Sequence, residues 1–175
     1  GDWSSDVCSS DLEWTPGFLT RGLGAIARGV RRWGLRPGEL VRVRSLDEIR
    51  ATLDEKGACD GLPFMPEMAA FCNRQVRVFR RVHKIYDWVQ HKGLRRTRDT
   101  VSLEGLRCDG AAHGGCQAGC LVLWKEAWLE RAAGRSQPAT STPSDATVPD
   151  LRRWAERRDA ASGEPRYVCQ MTELQ

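Results

Sequence analysis

Histidine, tyrosine and methionine are scarce in this chain, at three, two and three among 175 residues. His83 and His91 read as surface residues rather than catalysts, which leaves His113 as the one imidazole of chemical interest. No run of 18 apolar residues occurs, so no visible segment is a membrane-spanning helix. There is no Gly-rich phosphate loop, no nucleophile elbow and no paired-carboxylate motif. No signal peptide is visible either, which points to a reducing cytoplasm in which disulfides are rare.

Cysteine, by contrast, is plentiful and clustered. Cys108, His113, Cys116 and Cys120 share one short stretch, Arg-Cys-Asp-Gly-Ala-Ala-His-Gly-Gly-Cys-Gln-Ala-Gly-Cys. Thiolate and imidazole are the ligands that zinc and iron–sulfur centres use. Glycines at 110, 114, 115 and 119 let the backbone bend tightly around an ion or a cluster. The spacing, C-x4-H-x2-C-x3-C, fits neither the usual zinc-finger pattern nor the radical-enzyme C-x3-C-x2-C pattern. It indicates ligation without naming the metal.

Residues 2–12 resemble, residue for residue, one reading frame of a translated short-read library adapter. That resemblance implies that residues 1–12 are not native, that Cys8 and Trp3 carry no function, and that the chain is a gene fragment. Without Asp2, Asp6 and Asp11 the 23 acidic residues become 20 against 27 basic ones, a formal charge of +7. The remainder suits one domain.

Residues 13–36 read as a basic amphipathic helical segment packed on the domain, with a membrane-surface helix as the alternative. Pro37-Gly38 marks a turn. The alternation from Glu39 to Arg44 predicts a strand with Val41 and Val43 inward and Arg42 and Arg44 wet. Ser45 and Glu48 form a capping box for a helix over 46–54. Pro66 opens a short helix to Cys72 in a Met- and Phe-rich segment that reads as core filling. Strands are expected over 74–82, 84–89 and 101–107. After Cys120, periodicity leaves strand and helix both open. Residues 134–149 read as a flexible linker or loop. A basic helix to about 161 and a strand over 167–170 complete the C-terminal segment, 150–175, which returns Cys169 to the α+β metal-loop domain of 37–133.

Two ligand sets compete. Cys108, His113, Cys116 and Cys120 would close a tetrahedral structural zinc site. Alternatively, Cys108, Cys116, Cys120 and Cys169 would hold an iron–sulfur cluster, with His113 as an outer donor. Glycine density and the distant fourth cysteine favour the cluster. Asp109 is expected to brace the loop by accepting backbone N–H bonds. Cys59 and Cys72 read as ordinary buried thiols. Arg77, Arg80, Arg81 and Lys84 form a basic band near Tyr86 and Trp88, which a single-stranded nucleic acid would suit. A solvated sheet face is the favoured reading.

At Asp-Gly-Leu-Pro-Phe-Met-Pro-Glu-Met, at the cysteine stretch and at Tyr-Val-Cys-Gln-Met-Thr-Glu-Leu, the chain resembles an uncharacterised bacterial protein family. Its members tend to lie beside biosynthetic and sugar-modifying genes. The resemblance implies that Cys169 belongs with the loop cysteines. It also implies a cysteine near Tyr86, in a Lys-x-Cys-Asp context, that this chain lacks; were it a ligand, the site here would be altered. Glu-Leu-Val-Arg-Val-Arg-Ser is similar, over that short stretch, to the small β-barrel of nitrile hydratase β-subunits.

The expectation is therefore an α+β domain on a small, strongly curved antiparallel sheet or β-barrel, with the Cys/His loop at one end. Function is expected to be that of a cytoplasmic metal-binding accessory protein of bacterial biosynthetic loci, iron–sulfur ahead of zinc, with a redox and a structural role for the cluster both open, and with a protein partner. Two alternatives stand beside it: a barrel that binds protein or nucleic acid around a structural metal, and a metalloenzyme using His113 and an open metal position.

Overall fold

The computed structural model describes residues 34–86, 93–132 and 148–173. Residues 13–33 of the expected amphipathic segment 13–36, and most of the expected linker, lie outside the described residues.

Val41 and Val43 alternate with arginines, and the chain accordingly forms β1, Leu40–Val43, with both valines fully buried. Ser45 then caps α1, Leu46–Arg50, in the expected reciprocal box. Its hydroxyl accepts from the Glu48 N–H at 3.3 Å, and Glu48 accepts the Ser45 N–H at 2.9 Å. The helix is one turn shorter than the pattern suggested, because the chain turns at Ala51 and Thr52. Next come two-residue strands, β2 (Ala58–Cys59) and β3 (Leu62–Pro63), joined by Asp60-Gly61. Both linking residues are left-handed, with φ of 46° and 74°. This is the backbone a tight two-residue hairpin requires. A 3-10 helix over Pro66–Phe71 follows.

β4 (Gln75–Arg81), β7 (Thr100–Arg107), β8 (Leu121–Lys125) and β9 (Leu129–Arg131) complete the main sheet. Its order is β8-β7-β4-β1-β9, antiparallel throughout. β8 and β9 are opposite edges, yet only the 3-10 turn Glu126–Trp128 separates them. A flat five-stranded sheet spans far more than three residues reach, so the sheet has to curl into a half-barrel. The ambiguous stretch after Cys120 is thus a strand, because pairing with β7 outweighs its helical spacing.

Trp124, Trp128, Ile49, Leu62, Met68 and Leu103 fill the inside. Phe64 meets Trp124 and Trp128 edge-on, at 6.3 and 5.3 Å between centroids. Such pairs add roughly 0.5–1.5 kcal/mol beyond area burial. β5 (Lys84–Tyr86) and β6 (Leu94–Arg96) make a separate hairpin.

The C-terminal segment forms α2 (Val148–Ala155), a hairpin of β10 (Glu156–Arg158) and β11 (Pro165–Tyr167), and α3 (Gln170–Glu173). The expected helix to about 161 stops at Ala155, whose carbonyl accepts the Val168 N–H at 2.7 Å. The expected strand over 167–170 ends at Tyr167. Leu151 is fully buried, and a Cβ at Gly57 would lie 2.5 Å from the Trp154 ring, so α2 rests directly on the barrel. No helix among the described residues is long and apolar enough to cross a membrane.

Candidate metal centre

The loop 108–120 caps the β7–β8 hairpin. Arg107 pairs with Leu121, and one step further the Cys108 N–H donates to the Cys120 carbonyl at 2.9 Å. The ladder therefore fixes two cysteines opposite each other at the loop's base. Beyond them the chain folds back on itself. The Gly110 carbonyl accepts from the His113 and Gly115 N–H groups at 3.0 and 3.1 Å, and the Asp109 carboxylate accepts the Ala111 N–H at 3.0 Å. Gly110 is left-handed, and a Cβ there would fall 1.9 Å from the Cys116 carbonyl oxygen, so glycine alone permits this fold-back.

The fold-back sets His113 against Glu67, which projects from the Pro66–Phe71 helix. Glu67 Oε1 lies 2.8 Å from His113 Nδ1 and 3.7 Å from Cys108 Sγ, and Cys108 Sγ lies 3.8 Å from the same Nδ1. Both the Glu67 and His113 side chains are 5 % exposed. Their second polar atoms, Glu67 Oε2 and His113 Nε2, are buried without a partner. Orphaned buried groups of this kind are rare in folded proteins and call for an explanation, such as an ion.

The electrostatics follow from the contacts. Burial pushes Glu67 up, but the His113 hydrogen bond and the Ala112 N–H outweigh it and hold the carboxyl below its usual value. The Glu67 hydrogen bond raises His113 against the opposing effect of its burial. The Val168 carbonyl also favours the protonated ring, without the geometry of a formed hydrogen bond at Nε2. Burial, reinforced by the charge of Glu67, pushes Cys108 up to about 11. Cys108 is thus a thiol rather than a free nucleophilic thiolate. A Cys–His–Glu relay is also excluded by geometry, because sulfur and carboxylate share one ring nitrogen, whereas a relay uses both.

Cys108, His113, Cys116, Cys120 and Cys169 line a single cavity of about 50 Å³. Cys169 reaches it from the far end of the chain, and its neighbours explain how. The Tyr167 ring packs on Gly114, where a Cβ would approach it to 2.9 Å. Gln170, 2 % exposed, accepts the Leu123 N–H at 2.8 Å and donates to the Leu123 and Pro63 carbonyls at 2.8 and 3.0 Å. Cys120 is raised first by burial, then by the nearness of Cys169 and Cys116. Among the described residues, however, three ligand atoms lie within 4.8 Å of one another only at Glu67, Cys108 and His113. The remaining thiols are spread around the cavity wall.

That trio could hold a metal ion. The donor set, one carboxylate, one imidazole and one thiol, is chemically suited to zinc. No known protein family, curated protein or solved structure matches this chain.

Glu67 is the member that sequence reasoning missed. It was folded into a segment read as core, and Met65 and Met68 are indeed buried there. The available signal was that Glu67 is the lone charge between Asp60 and Arg74. Cys59 and Cys72 lie away from the cavity, and burial raises both thiols, Cys72 to about 12. The basic band is not one free surface. Arg81 Nη1 is bound to Glu126 at 2.6 Å and to the Leu35 carbonyl at 3.0 Å, so that nitrogen is already engaged. Arg77 donates to the Gly38 carbonyl at 2.9 Å, Arg80 lies over Phe79 at 5.1 Å, and Lys84 is exposed.

Proposed function

We propose that this chain is a metal-binding accessory protein whose centre is a single divalent ion, zinc, seated by Glu67 Oε1, Cys108 Sγ and His113 Nδ1. The observation that carries the reading is the gathering of those three ligand atoms within 4.8 Å of one another; the two edges to sulfur, 3.7 and 3.8 Å, suit a shared ion, and the 2.8 Å Oε1–Nδ1 edge is a hydrogen bond that an entering ion would open. Three protein ligands would leave a fourth position open. Bound zinc would supply the positive charge that turns Cys108 from thiol to thiolate.

The iron–sulfur reading remains the second. It is supported by Cys108, Cys116, Cys120 and Cys169 lining one cavity while standing too far apart for one ion. A cluster offers a separate iron to each thiolate. His113 would then tune the cluster from outside the ligand set. The setting that suits either centre is a cytoplasmic protein of bacterial biosynthetic loci, working with a protein partner.

Elemental analysis of full-length chain purified without oxygen separates the two readings. One zinc per colourless chain is expected, and Glu67→Gln is expected to weaken zinc about 10–100-fold. A brown protein carrying iron and inorganic sulfide transfers the assignment to the four cysteines. A chain that binds neither metal refutes both.

A further inference from the structure

The inner trio is almost closed to solvent, with Glu67 and His113 each 5 % exposed at the side chain. An ion that reaches it has to shed its water on the way, and a metal site needs an access route as well as ligands. The cavity provides one, and the ligand atoms on its wall are graded in exposure. Cys116 is exposed, Cys120 and Cys169 are half-buried, and His113 is buried at the inner end. The nearness of Cys116 and Cys169 to Cys120 is felt at the Cys120 thiol, so the three are neighbours rather than isolated groups. Yet none of them completes a tight three-atom cluster, as a static closed site would require. The arrangement is a path of soft ligands leading inward from solvent to a better-formed site.

Resting on the zinc reading above, we propose that Cys116, Cys120 and Cys169 form a ligand-exchange route that loads and unloads the inner ion. Cys116 is the receiving residue, and the partner is a carrier that itself holds zinc through thiolates. Between the outer thiols each transfer forms one zinc–sulfur bond as another breaks; at the inner end the bonds made or broken are those to Glu67 Oε1 and His113 Nδ1 as well as to Cys108 Sγ. The thiol that captures the ion gives its proton to solvent, and the thiolate left behind regains one. No electron moves, so no oxidant or reductant is involved. A serine at 116 offers a hydroxyl that stays protonated at neutral pH and binds zinc poorly. The substitution therefore removes the first step while leaving the inner trio in place.

The test uses the zinc-loaded full chain and a chromophoric chelator as acceptor. Stopped-flow measurement gives the transfer rate, and equilibrium competition gives Kd. Cys116→Ser is expected to leave Kd within about twofold of the parent and to slow transfer at least about tenfold, equivalent to about 1.4 kcal/mol of barrier. An unchanged rate overturns the route. So does a loss of affinity beyond twofold, which makes Cys116 a resident ligand. A parent chain that takes up no zinc refutes the zinc reading itself and is recognised before any rate is compared.

Discussion

Two buried carboxylates, one at each end of the barrel, behave in opposite ways. Glu126, 1 % exposed, sits in the turn between β8 and β9. It accepts the Gly34 and Leu35 N–H groups at 2.9 and 3.1 Å and the Arg81 guanidinium at 2.6 Å. Both of its oxygens are satisfied. Glu67 lies beneath the β7–β8 loop with one oxygen shared between His113 and Cys108 and the other unpartnered. The first carboxylate closes a network and fixes where the chain enters the barrel. The second leaves capacity unused in a place where unused capacity is costly. Both oxygens of the first are closed by the fold, whereas one oxygen of the second is not.

The comparison breaks most visibly in stability. Glu126→Ala strips a buried guanidinium contact and two backbone N–H groups of their acceptor. A loss of about 3 kcal/mol is expected, read as a lower urea midpoint, with zinc affinity of the folded fraction unchanged. Glu67→Gln is expected to cost about 1–2 kcal/mol, less than Glu126→Ala, through its weakened bond to His113, while lowering zinc affinity. If both substitutions destabilise equally and neither affects zinc, the two carboxylates do the same job and the contrast fails.

Gln170→Ala sharpens the contrast from the C-terminal side. Three hydrogen bonds to Leu123 and Pro63 are lost, and a loss of about 2 kcal/mol is expected from the stranded buried groups. Hydrogen exchange should show it as faster amides over 165–173, with the Glu126 end still protected. Acceleration spread evenly over the sheet would mean that the segment is not a separate clasp on the metal site.

These cases also show what the sequence could carry. The alternation around Val41 and the Ser45–Glu48 box are local rules, and both appear where expected. The curved antiparallel sheet followed from strand count and turn signals. The cysteine stretch was conspicuous because several ligands fall within a few residues. Glu67 and Gln170 were not legible, because each acts on partners about 40 or more residues away. Their roles exist only once the Pro66 helix and α3 are packed on the same hairpin. The strand after Cys120 was undecidable for the same reason, since its partner β7 and not its own periodicity settles it. The pairing of Arg81 with Glu126 was not legible either, because nothing local announces it.

A third carboxylate, exposed but fully used, calibrates the other two. Glu48 accepts the Ser45 N–H and hydroxyl at 2.9 and 3.0 Å and faces Arg44 at 3.3 Å and Arg42 at 3.8 Å. Partial burial pushes its carboxyl up, but the Ser45 bonds and the two arginines outweigh that and hold it below the usual glutamate value. A carboxyl depressed in the folded state stabilises the protein above its unfolded value of about 4.3 and loses that contribution as pH falls through the lower folded value. Ser45→Ala should therefore cost about 1 kcal/mol at neutral pH, as loss of an N-cap does. The gap between variant and parent in melting temperature should narrow as pH falls below that range. It should not vanish, because the Ser45 hydroxyl also accepts the Glu48 N–H at 3.3 Å, a bond that does not titrate. A gap that stays constant from pH 6 to acid would show that Glu48 gains nothing from the cap, and exposure would then have to be weighed above partner count in judging Glu67.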